Sequence, residues 1–251
     1  MSRLRIIDGT YLKLLAALLM LIDHIGVILF PSVIAFRIIG RLSFPIFAFM
    51  ISEGAKYTKN KLRYFLLMFL TGVLCQIVFY IVSGSLLMCI LITFSASVLM
   101  IYLLDYLKAC LFSEKRSTAR AACAFALFVI GIALMGILNY HPFFRKTVRL
   151  SFDAGFFGFL APIFASLFVF RGKDYPEGLK RLDTIPLRVL CFSAALIGLI
   201  PINKIQWISL FAIIPLILYS EKRGRFSLKY FFYLFYPLHL AGLWLIFRII
   251  Y

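Results

Sequence analysis

Leu14-Leu-Ala-Ala-Leu-Leu-Met-Leu-Ile-Asp-His-Ile-Gly-Val-Ile-Leu-Phe30 is apolar throughout except for one aspartate and one histidine side by side. With its flanks, 11–31, the run reaches the roughly 20 mostly apolar residues that a helix needs to cross a bilayer. An ionisable side chain in hydrocarbon costs at least about 2.5–3.5 kcal/mol, so such residues usually turn into a bundle and mark function. The run therefore predicts a transmembrane helix, and Asp23 and His24 are its first candidates for chemistry.

Outward from this stretch the same texture repeats. Further candidate spans lie at 34–54, 62–83, 86–107, 119–139, 152–170, 186–201, 204–219 and 228–248. The total is about nine, and eight to ten are compatible with the short pair around Pro201-Ile-Asn-Lys204, which reads as one re-entrant pair or as two tilted helices. Of 251 residues, 63% are hydrophobic and 15% charged, with mean hydropathy +1.00. An ordinary soluble domain carries about 25% charged residues, so a water-soluble fold would lack the polar surface to cover its core. The expected class is all-α, a polytopic transmembrane bundle forming a single integral membrane domain over 1–251. Met1-Ser-Arg-Leu-Arg5 runs into a full span with no small-residue cleavage site, so no cleavable leader is expected.

Net charge is +17, from 27 Lys+Arg against 10 Asp+Glu. The excess falls in clusters between the apolar runs, with no nucleic-acid-binding motif beside it, which argues against a nucleic-acid partner. Arg3 and Arg5, then Lys56, Lys59, Lys61 and Arg63, then Lys108, Lys115, Arg116 and Arg120 mark one side. Arg171, Lys173, Lys180, Arg181 and Arg188, followed by Lys222, Arg223, Arg225 and Lys229, mark it again. The positive-inside rule places these loops and the N-terminus in the cytoplasm. One loop on the opposite side dissents: 139–149 carries Arg145, Lys146 and Arg149. The five cysteines show no metal-binding spacing, and no metal site is expected.

Other polar residues stand where apolar ones belong. Asp23 and His24 are helix neighbours and point about 100° apart. They face one cavity from two angles, or one of them holds a separate structural partner. Arg41, ahead of Pro45, falls at a depth similar to Asp23 and His24; it pairs with Asp23 or holds an anionic substrate. Glu53 closes the second span beside basic residues, where pairing with Lys56 or Arg63 competes with a substrate role. Asp153, in Ser-Phe-Asp-Ala-Gly, reads as a helix N-cap or a site residue. Tyr233, Tyr236 and His239 recur at i, i+3, i+6, a polar stripe that belongs inside the bundle. Histidine works as a base near neutral pH, and Arg or Tyr can hold an oxyanion. Those parts suit acyl transfer, and a proton-coupled transporter would use similar ones.

Several of these segments closely resemble the TraX family. They are Leu12-Lys-Leu-Leu-Ala, Met20-Leu-Ile-Asp-His-Ile-Gly26, Phe36-Arg-Ile-Ile-Gly-Arg-Leu-Ser-Phe-Pro45, Glu53-Gly, Tyr57-Thr-Lys-Asn-Lys-Leu-Arg-Tyr64 and Lys229-Tyr-Phe-Phe-Tyr-Leu-Phe-Tyr-Pro-Leu-His-Leu240. The resemblance covers roughly 1–80 and 204–245. It implies a membrane-embedded acetyltransferase related to the acyltransferase-3 superfamily, using cytoplasmic acetyl-CoA as donor. The family is associated with acetylation of a pilin N-terminus, so the implied acceptor is a protein N-terminus or an envelope glycan. Carried onto this chain, His24 is the general base or acyl carrier, oriented by Asp23. Arg41 and Tyr236 polarise the acyl carbonyl, and His239 assists proton transfer. The middle departs from the family at Cys75-Gln-Ile-Val-Phe79, at Met88-Cys-Ile-Leu-Ile-Thr93 and around Asp153-Ala-Gly155, where acceptor recognition is expected to differ. The other classes are a small proton-coupled transporter and a non-catalytic assembly factor in which Asp23, His24 and His239 are structural. No internal repeat of the transporter kind is present.

Overall fold

The computed structural model describes residues 5–84, 86–113, 116–172, 174–201, 203–224 and 228–250. Arg3, Lys115, Lys173, Arg225 and the Lys229 side chain lie outside these, as do Ser85 and Ile202 of the expected opposite loops. Among the described residues, six helices are long and apolar enough to cross a membrane. The regions expected as the sixth, seventh and eighth spans hold shorter helices, Gly155–Ser166, Ile185–Leu199 and Lys204–Ile217. Contacts group the chain into two compact units, one of residues 1–50 with 196–251 and one of 51–195.

In the first unit, α1 (Gly9–Ile28) begins where the Asp8 carboxylate accepts from the backbone N–H of Thr10 and Tyr11 at 2.9 and 3.0 Å, occupying donors that a helix start leaves unpaired. The chain turns at Phe30–Val33 into α2 (Ile34–Gly40), which runs back along α1. Hydrocarbon tails are as apolar as leucine, so helices in a bilayer associate through close packing rather than water exclusion. Small residues allow that approach here. A Cβ on Gly26 would stand 2.4 Å from the Cβ of Phe36, and one on Gly40 would stand 2.3 Å from the Cβ of Asp23. The expected second span is present as one of these six, Ile34–Tyr57, with a turn at Arg41–Leu42 between α2 and α3 (Ser43–Tyr57). Pro45 accounts for the turn, because its ring and missing N–H deny a regular helix the carbonyl of Arg41. Ser43 Oγ then donates to the Ala16 carbonyl at 2.7 Å. Further on, the 3₁₀ segment Lys204–Ala212 leads into α10 (Ile213–Ile217). Ile7 and Tyr219 form a parallel bridge there, and α11 (Lys229–Ile250) packs against α1.

The second unit holds α4 (Lys61–Ser83), α5 (Ile90–Phe112), α6 (Thr118–Tyr140), α7 (Gly155–Ser166), the short α8 (Glu177–Lys180) and most of α9 (Ile185–Leu199). Asn60 caps α4 through Oδ1, which accepts from Arg63 N–H at 2.8 Å. Gly84 ends it in the left-handed conformation, φ +64°, as helix C-termini favour. Helix α5 is central, touching α4, α6 and α7. Its Ile101 and Leu104 bury against Met135, Phe159, Leu160 and Ile163, and Ser97 Oγ donates to the Phe159 carbonyl at 2.7 Å. Strands β1 (Leu87–Met88) and β2 (Ser151–Phe152) pair in parallel. They place the α4–α5 and α6–α7 connections at the same end of this unit, the shared side that span alternation predicts.

Asp153 is not a helix cap. Helix α7 starts at Gly155, and its cap residue Ala154 sits at φ +58° with no side-chain hydrogen bond.

Candidate active site

Two arginines and one carboxylate meet where α1 and α2 cross. Arg37 and Arg41 are one turn apart, so both point to the same face. Arg37 Nη1 lies 2.8 Å from Asp23 Oδ2, and Arg41 Nη2 lies 3.5 Å from Asp23 Oδ1. Gly40 makes room for the Asp23 side chain between them. Two guanidiniums against one carboxylate leave a net charge of +1 at this crossing.

His24 turns the other way, toward α11. Its Nδ1 lies 2.9 Å from the Met20 carbonyl and 3.1 Å from His239 Nε2, and His239 Nδ1 lies 2.7 Å from the Phe235 carbonyl. Carbonyl oxygens only accept, which fixes the tautomers of two neutral rings. His239 Nδ1–H donates to Phe235. His24 Nδ1–H donates to Met20 and, forked, to the bare Nε2 of His239. The second nitrogen of His24, Nε2, then carries a lone pair with no recorded partner among the described residues. His24 is half-buried while His239 is 8% exposed, so the free lone pair sits on the more accessible ring. The imidazoles lie 4.9 Å apart at 58°, with Phe235 stacked on His239 at 4.9 Å and Tyr236 edge-on to it at 5.8 Å.

Of the residues expected to act together, Asp23, Arg41, His24, His239 and Tyr236 lie in this one unit. The expected orientation of His24 by Asp23 is corrected: no hydrogen bond joins them, Asp23 serves the arginines, and His239 with Met20 orients His24. Of the stripe on α11, Tyr236 and His239 are buried and Tyr233 is half-buried. Arg37 was not among the residues singled out from the sequence, although its spacing of four from Arg41 signals a shared face.

Glu53 and Asp153 belong to the other unit. Asp153 is exposed, and its backbone carbonyl accepts from Thr93 Oγ1 at 3.4 Å. Glu53 is buried and pairs with Arg188 rather than with Lys56 or Arg63, while Lys56 pairs with Asp183 at 3.0 Å. Arg188 is fully buried. It donates from Nε to the Ala165 carbonyl at 2.9 Å and from Nη2 to Ser52 Oγ at 3.2 Å. Lys108, also buried, donates to the carbonyls of Ser166 and Val169 at 2.7 and 3.1 Å. Three cations expected in interfacial loops, Lys56, Lys108 and Arg188, are thus structural partners inside the unit. Among the described residues no group of three or more His, Cys, Asp or Glu is placed to hold a metal.

The family model described as TraX protein matches residues 8–247. A protein of Rickettsia prowazekii (strain Madrid E) described as "Uncharacterized protein RP591" is 42% identical over 66 residues, 26% of this chain and 25% of that protein. The chain thus spans about a quarter of that relative's length. No solved structure matches. The match over nearly the whole length settles the family: this chain, a multi-pass membrane protein by its apolar helices, belongs to the TraX family.

Proposed function

We propose that this protein is a membrane-embedded acyltransferase of the bacterial inner membrane, moving an acetyl group from cytoplasmic acetyl-CoA to an acceptor in or across the membrane. The acceptor class is a protein N-terminus or an envelope molecule bearing a nucleophilic amine or hydroxyl. The observation that carries this reading is the imidazole pair, in which His239 Nε2 and the Met20 carbonyl both accept from His24 Nδ1–H and so leave the Nε2 lone pair of His24 unengaged.

In the proposed step, the acceptor N or O bonds to the acetyl carbonyl carbon as its proton passes to His24 Nε2. The carbon–sulfur bond breaks with its electron pair going to sulfur, and the thiolate takes the proton back from His24. The carbonyl oxygen carries negative charge in between. The +1 cluster one residue along α1 supplies a field of the right sign, with Asp23 holding Arg37 and Arg41 in place. General-base action of this kind contributes about 10²–10⁴-fold. Tyr236, against the His239 ring, closes the buried side of the pair.

The test uses purified protein in nanodiscs with labelled acetyl-CoA, following CoA release and label transfer for the wild type and His24→Ala. Release by the wild type and a loss of at least about 10²-fold in the folded variant support the reading. Absence of release from the wild type, with cell-extract acceptors present, points instead to proton relay in a transporter or to an assembly role.

A further inference from the structure

The connection between α6 and α7 has the wrong charge for its side of the membrane. It lies at the same end of its unit as residues 84–89, because β2 pairs with β1, and 84–89 contains no charged residue. Yet Arg145, Lys146 and Arg149 are all exposed, and among the described residues their side chains make no ion pair or hydrogen bond. The single carboxylate close by in sequence is the exposed Asp153.

This connection has a defined shape. It follows directly on a 23-residue apolar helix of spanning length, α6, which sets it at the bilayer interface. A π-helical turn covers Phe143–Thr147. Backbone bonds from Val148 to Phe143 at 3.0 Å and from Leu150 to Phe144 at 2.8 Å hold it. Phe143 is 53% exposed. Arg149 adopts a left-handed backbone, φ +57°, a conformation that glycine takes without strain and arginine does not. An exposed aromatic ring beside unpaired cations at an interface matches a phospholipid, with the ring among acyl chains and the cations at the phosphate.

We propose that residues 143–149 form a binding site for the headgroup phosphate of an anionic phospholipid in the leaflet at this end of the unit. The site stabilises a connection whose charge otherwise opposes its topology, and it recruits anionic lipid on the face opposite the basic loops.

The test counts phosphatidylglycerol retained against phosphatidylcholine by native mass spectrometry of the full chain released from mixed-lipid nanodiscs. The variants are R145Q/K146Q/R149Q, R149G, and a control at the opposite end, K59Q/R116Q/R120Q. Each interfacial cation is worth about fivefold in anionic-lipid binding, so the site variant loses on the order of 10²-fold preference, while the control keeps the phosphatidylglycerol bound at this site. R149G guards against misfolding. Its glycine suits the left-handed backbone, so it retains about fivefold less phosphatidylglycerol with an unfolding temperature no lower than wild type. Equal retention by the site variant and wild type, or equal losses in site variant and control, overturns the proposal. So does displacement of the lipid by millimolar inorganic phosphate, which would assign the cations to a soluble anion.

Discussion

Replacing Arg188 by methionine tests the buried ionic cluster most directly. The guanidinium is fully buried, pairs with a carboxylate that is 2% exposed, and donates to the Ala165 carbonyl and Ser52 Oγ. Methionine keeps much of the volume and removes all three. Breaking one side of a buried pair costs about 3–5 kcal/mol, because the remaining charge is left uncompensated. The carbonyl at Ala165 adds roughly 1 kcal/mol for its lost donor. In a chain of this size 1 kcal/mol corresponds to about 2–4 °C in Tm, so Arg188→Met lowers Tm by about 8–24 °C by the same conversion. The double variant Glu53→Gln/Arg188→Met removes both charges and recovers most of the loss, since a buried pair exchanged as a whole is often neutral. A thiol-reactive dye suits the assay, because Cys75, Cys89 and Cys110 are free, buried and within this unit. A Tm within about 3 °C of wild type for Arg188→Met, at most about 1.5 kcal/mol on that scale, refutes the reasoning. A double variant less stable than the single one refutes it equally.

The other expectations concern the first unit. Gly40→Ala puts a Cβ 2.3 Å from the Asp23 Cβ, so α1 and α2 must part, at a cost of about 1–3 kcal/mol; an unchanged Tm would show a loose crossing. Asp8→Ala removes the α1 cap and costs about 1 kcal/mol, whereas Asp8→Asn keeps most of it, both read from the same melts. His239→Leu takes away an acceptor of the His24 Nδ1–H and leaves the Met20 carbonyl. A hydrogen bond of about 0.5–1.5 kcal/mol predicts a fall of roughly 2–10-fold in CoA release, well short of the His24→Ala loss; equal losses would make His239 a second indispensable base.

The membrane class, the positions of the long helices and the candidate histidines were legible in the chain itself, because a charge inside an apolar run is conspicuous at any level of reading. The partnerships were legible only in part. The 100° step between Asp23 and His24 and the pairing of Arg41 with Asp23 could be read from the chain, whereas Arg37 as a second partner of Asp23 and His239 on α11 as the partner of His24 could not. Lys56, Lys108 and Arg188 stand at the ends of apolar runs, where counting charge toward topology hides that their side chains turn inward to Asp183, backbone carbonyls and Glu53. Arg188, in Ile185-Pro-Leu-Arg-Val-Leu, did carry the same signal as Asp23, a charge within an apolar stretch. At Asp153 the misreading is local: an alanine in left-handed backbone is rare enough that residue type pointed to the wrong cap. The turn at Arg41–Leu42 within the second span was half visible, since Pro45 stands just beyond it.

The imidazole pair joins residues 215 positions apart. At about 5–20 residues per second, roughly 10–40 s of synthesis separate the appearance of His24 from that of His239. Throughout that interval α1 can be inserted with Asp23 and its arginines already matched by α2, while His24 has no counterpart. The α1–α2 crossing can therefore be electrostatically settled early in synthesis, whereas the imidazole pair cannot assemble until α11 arrives.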